Sequence, residues 1–154
     1  MMLGIDPGRY GAIAAVFGAQ IVLLPLPDDL TAFADLIRGV TCCATSVAAA
    51  VERQQPFPRQ GRTSIGVQMR GYGAILGMLA TLNVPTTEIM PQVWRRRLGL
   101  GADKAESLRY CRERVPGFVA ALDRSGCRRK DVAIGCADAT CIALVARMVA
   151  PALG

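Results

Sequence analysis

Apolar residues along the chain fall first into short runs and later into longer stretches. Residues 2–6 (Met-Leu-Gly-Ile-Asp) form a brief apolar run that ends in an acid, and Pro7-Gly8-Arg9 reads as a turn. Residues 10–17 and 20–25 are two further runs, the last closed by Pro25 and Pro27. Such runs between turn residues predict three strands in an antiparallel meander. Leu30, Phe33, Ala34 and Ile37 repeat at helical spacing, which predicts a helix over 30–38 capped by Asp28 or Asp29. Residues 45–52 predict a central strand ending at Glu52, followed by a polar, proline-bearing loop over 53–62. A long helix over 63–82, a strand at 86–90, a short helical turn from Pro91 and a helix over 103–114 come next. A basic linker at 124–130 leads into a final apolar helix over 131–149.

The order is a meander followed by helix-linked strands. It predicts a single α/β domain over 1–154, with a mixed sheet (antiparallel meander plus parallel strands) and helices on both faces. Ligands of such sheets bind at the carboxyl ends of strands, where Asp6 and Glu52 stand. No run of charge-free apolar residues nears the roughly 18 needed to span a bilayer. Neither a basic leader nor a long apolar segment opens the chain, so a cytoplasmic protein without membrane partners is expected.

Composition narrows the chemistry. There is no His, which removes Ser-His-Asp triads, Cys-His dyads and His general bases together. The six Cys form no Cys-x-x-Cys pair and are expected as buried, reduced thiols. Any catalysis then falls to carboxylates. The net charge of +6 is carried almost wholly by Arg, since Lys occurs only at 104 and 130. Guanidinium forks suit phosphate, so a polyanionic partner is expected. Candidate phosphate contacts are Arg53, Arg59 and Arg62, then Arg95, Arg96 and Arg97, and finally Arg128, Arg129 and Lys130.

Three acids stand out. Asp6 and Glu52 each end a buried strand, and Asp138 lies in an almost wholly apolar helix with no Lys beside it. An ionised carboxylate in such a place needs donors, water or a cation. Small Ala137 and Ala139 let that helix lie close to the strands bearing Asp6 and Glu52. Three converging carboxylates repel one another, and a hard divalent ion such as Mg²⁺ relieves this. Two such ions can activate a water and steady a leaving oxygen in phosphodiester cleavage, a mechanism that needs no His.

Gly4-Ile5-Asp6-Pro7-Gly8, Val51-Glu52-Arg53-Gln54 and Ala137-Asp138-Ala139 together resemble the RuvC family of Holliday junction resolvases. The segment 52–77, Pro91-Gln92-Val93-Trp94-Arg95 and Asp103-Lys104-Ala105-Glu106-Ser107 resemble its phage and chloroplast-type branch. The resemblance implies an RNase H-like fold, a homodimer, Mg²⁺ or Mn²⁺ (two ions per site) and paired symmetric nicks across a four-way DNA junction. It also implies that Asp6, Glu52 and Asp138 are catalytic metal ligands. The family shows a further acid or His three or four residues before the last acid, where this chain has Gly135 and Ile134. Asp131 is the candidate substitute, provided that it precedes the helix; within one straight helix it would sit about 10 Å from Asp138. A junction-binding protein with little or no cleavage, or a nuclease for hybrid or flap substrates, are the alternatives. The helix over 63–82 carries Gly66, Gly71, Gly73 and Gly77, which calls for close backbone contact with the sheet or with a second copy.

Overall fold

Side chains alternate across a strand, and this alternation builds the molecule. In the computed structural model, which describes residues 1–27, 29–42, 44–56 and 60–149, β1 (Met2–Asp6), β2 (Ala12–Phe17) and β3 (Gln20–Pro25) form the expected meander. α1 (Leu30–Thr41) follows, its first turn capped by the Asp29 carboxylate accepting from the Ala32 N–H at 2.8 Å; Asp28 lies outside the described residues. β4 (Ala48–Glu52) pairs in parallel with β1, and β5 (Thr86–Ile89) in parallel with β4. The sheet order is β3-β2-β1-β4-β5. β2 starts two residues later than the sequence predicts, because the turn is held by the Gly11 N–H donating to Gly8 O at 2.8 Å.

Two layers of helix cover the sheet. Leu3, Ile5, Ile13, Ala49 and Val51 meet Phe33 and Ile37 of α1 and Tyr72, Ile75 and Leu79 of α2 (Arg62–Thr81). On the other face Met2, Ala12, Ala14, Ala48 and Ala50 meet α3 (Pro91–Arg97), α4 (Glu106–Arg114), α5 (Phe118–Arg124) and α6 (Lys130–Val149). α5 is an element the sequence does not announce. Gly117, with φ of 79°, starts it, and fully buried Phe118 anchors it.

α6 lies almost directly on the strands. A Cβ at Gly4 would overlap the backbone of Ala139 and Ala143, and one at Gly135 would overlap Tyr10 O. By length and composition α6 is apolar enough to cross a membrane, which corrects the expectation that no segment is. Its small apolar residues pack on the sheet instead, and 61% of that stretch is buried inside the fold. Cys111, Cys136 and Cys141 are buried free thiols as expected, Cys127 is half-buried, and Cys42 is exposed.

Candidate active site

Register decides which face each acid takes. Met2, Gly4 and Asp6 share the α6 side of β1, and Ala48, Ala50 and Glu52 share the same side of β4. β1 and β4 run parallel with Ile5 opposite Val51, so Asp6 and Glu52 leave neighbouring strands at the same end. Asp138 enters from α6, the helix that Gly4 and Gly135 admit to within backbone contact. Three distant segments thus bring carboxylates near enough for their charges to act on one another.

The electrostatics of the three groups are linked. Burial pushes the Asp6 carboxyl up, opposed by the Gly8 N–H donating to its Oδ1 at 2.9 Å. Glu52 is raised to about 7 by burial first and then by the Asp6 charge, with Asp138 adding to the effect. Trp94 Nε1 donates to Glu52 Oε2 at 2.8 Å and Gln54 Nε2 to Oε1 at 3.4 Å, both favouring its charged form. Asp138 is also raised to about 7, by burial and then Asp6, while Ser107, Arg95 and Lys104 oppose the rise. One oxygen of Asp138, Oδ1, is buried and has no hydrogen-bond partner. An unpartnered buried carboxylate oxygen is costly, and this one belongs to a group that also feels the Asp6 charge. Among the described residues no three acid, Cys or His side chains close into a ready-made ligand shell, so what joins the three is their field.

Asp131 is not brought to this place. It lies in the first turn of α6, exposed, 3.9 Å from the Arg129 guanidinium. α6 already begins at Lys130, so the seven-residue helical separation from Asp138 applies and the fold-back that Asp131 needed does not occur. Its position is that of an acid at a helix N-terminus.

The basic candidates divide. Arg95 is half-buried over the Trp94 ring at 5.1 Å and donates to Gly101 O and Asp103 O, which makes it a clamp on the following loop. Arg96, Arg97, Arg128, Arg129 and Lys130 are exposed. Arg53 and Arg62 are exposed as well, and the charge of Arg53 acts on Tyr72 of the opposite helix layer. Arg59 lies outside the described residues. Sequence reasoning missed Trp94, Gln54, Ser107 and Lys104 as companions of the acids. Trp94 is the sole Trp of the chain, and nothing near it in sequence pairs it with Glu52, 42 residues away.

By sequence the chain matches no protein-family model and no curated protein. In structure it is similar to Thermus thermophilus RuvC in complex with a Holliday junction substrate, at 22% identity and a TM-score of 0.55 over 96% of each chain. A second Thermus thermophilus RuvC structure matches at 22% identity and a TM-score of 0.56, over 96% of this chain and 95% of that one. The chain therefore has a RuvC-like fold, the RNase H-like mixed α/β architecture that its motif order implies.

Proposed function

We propose that this chain is a structure-selective DNA endonuclease that resolves four-way junctions by paired nicks. The observation that carries this reading is the linked field of Asp6, Glu52 and Asp138, together with the unpartnered buried Oδ1 of Asp138. An all-oxygen donor set with no His fits a hard cation, Mg²⁺ or Mn²⁺. The same three residues would hold it, and Asp131 is left out of the set. When bound, such ions supply charge neutralisation and a more acidic water for phosphodiester hydrolysis. The chain's own residues do the rest. Trp94 and Gln54 fix the Glu52 carboxylate by one hydrogen bond to each oxygen. Gly8 holds Asp6, and the small apolar residues of α6 pack on the sheet face that bears the acids. Lys104 and Arg95 set positive potential beside Asp138, where a phosphate would lie.

Two cuts of opposite polarity require two sites related by a two-fold axis, hence a homodimer. α2 supports this. A Cβ at Gly66, Gly71, Gly73 or Gly77 would meet nothing within 4 Å among the described residues, so these glycines do not serve close packing on the chain's own sheet. We read this open glycine face, with exposed Val67 and Met69 on the same element, as room for a second copy of the helix.

The test is a labelled four-way junction incubated with Mg²⁺. The unaltered protein should nick two opposed strands, and Asp6→Asn should slow this by about 10³-fold or more, an effect typical of losing a charged catalytic group. One observation favours a second reading, binding with little cleavage. Ile134 and Gly135 occupy the turn before Asp138, and Asp131 points to solvent. Tight junction binding without nicks, in either metal, would select that reading.

A further inference from the structure

Tyr10 carries two cations. The Arg9 guanidinium lies 5.5 Å from the centre of its ring and that of Arg129 lies 5.2 Å away. These residues come from opposite ends of the chain, one from the turn after β1 and one from the turn before α6. We infer that the Tyr10 ring is a platform that fixes Arg9 and Arg129 as a paired phosphate grip on the DNA backbone beside the three carboxylates. The inference rests on the nuclease reading for its ligand.

Four features support it. First, the platform is rigid: Gly11 N donates to Gly8 O at 2.8 Å, Leu26 N donates to Gly11 O at 3.1 Å, and Gly8 N donates to Asp6 at 2.9 Å. Second, it is registered to the site. Tyr10 lies four residues beyond Asp6, and its carbonyl lies where a Cβ on Gly135 would be, one turn of α6 before Asp138. Third, the charges are available. Arg9 makes no ion pair among the described residues, and Arg129 has only the exposed Asp131 at 3.9 Å. Fourth, two guanidiniums gathered on one ring repel each other. The π cloud of the ring attracts each of them and offsets that repulsion, so both charged groups are held near the same residue before any anion arrives. Arg128 and Lys130 flank Arg129 and extend the positive surface.

Tyr10→Ala removes the ring without removing a charge, which separates this role from general electrostatics. The full chain is titrated against a plain duplex and a four-way junction in EDTA, reading anisotropy across a range of salt. Each phosphate contact contributes about 0.9 to the slope of log K against log salt. Tyr10→Ala should lower that slope by about 1 to 2 and weaken binding several-fold, with Tyr10→Phe restoring both. Arg9→Gln combined with Arg129→Gln should lower the slope by about 2 and leave nothing further for Tyr10→Ala to remove. This double charge variant keeps the test decisive if Tyr10→Ala fails to fold. A slope unchanged in a folded Tyr10→Ala, or a full slope in the double Arg variant, overturns the inference. If the unaltered protein binds both DNAs alike and never nicks the junction, the nuclease reading fails while the slopes still decide this one.

Discussion

The two faces of the sheet are built from different materials. Toward α1 and α2 the contacts are large side chains, with Leu3, Ile5 and Ile13 meeting Phe33, Ile37, Tyr72, Ile75 and Leu79. Toward α6 they are small, with Ala12, Ala14, Ala48, Ala50 and Gly4 meeting Ala139, Ala143 and Gly135. Big side chains hold a helix at arm's length and give an interior that tolerates exchange of similar volumes. Small ones bring backbone to backbone, which leaves no slack and lets a short Asp side chain on the helix reach the field of acids on two strands. One face supplies stability, and the other supplies placement.

The sharpest way to break this contrast is to enlarge the tight face. Gly4→Ala places a methyl against the backbone of Ala139 and Ala143, neither of which can swing aside. We expect a loss of about 3 kcal/mol or more in urea unfolding, beyond the usual overpacking penalty. A loss below about 1 kcal/mol would show that α6 is free to lift, and the placement argument would fall.

The next effect comes from charge on the same face. Glu52 and Asp138 are both raised to about 7, chiefly by burial and then by neighbouring acids. A carboxyl whose folded pKa lies above its unfolded value binds more protons in the folded state. Its contribution is therefore full below about pH 4 and is lost as pH rises towards 7. Without metal, the melting temperature should fall between about pH 5 and 8. Asp138→Asn should flatten that fall and raise the pH 8 melting temperature by roughly 5 °C, since it removes a buried charge. Added Mg²⁺ should stabilise the unaltered protein more at pH 8 than at pH 5, because protons compete for the same oxygens. A flat melting profile in EDTA would contradict the linkage of the three acids.

The smallest effect lies on the outer side of α2. Gly73→Ala meets open space, so a lone chain should gain up to about 1 kcal/mol from helix propensity. If a second copy sits there, the methyl intrudes and the dimer weakens instead. Equilibrium ultracentrifugation beside thermal melting distinguishes the two, and a stabilised, unchanged dimer would move the interface elsewhere.

Much of this was legible in the sequence because the signals are local. The short apolar runs around Leu3 and Val51, and the acids at their ends, needed only neighbouring residues to interpret. The helix with Asp138 announced itself by its apolar run. What stayed hidden depends on distant partners. Nothing local links Trp94 to Glu52, 42 residues apart, or shows that Gly4 exists to admit Ala139. The place of Asp131 turned on a boundary of one residue: the helix begins at Lys130, so Asp131 lies in its first turn and not in the chain before it. α5 was missed because seven residues carry too little periodicity to separate it from a loop.

The parallel pairing of β1 and β4 also limits how this protein can change length. Removing one alanine from the Ala48–Ala50 run would turn Glu52 toward α2, and removing two would restore its facing but withdraw it by about 6.6 Å. Loops that follow the strands are exempt from this arithmetic, since each acid stands at the last residue of its strand. Beyond the few residues that bond to the acids, such as Gly8 and Gln54, the segments after Asp6 and Glu52 can therefore change length while the two carboxylates stay where they are.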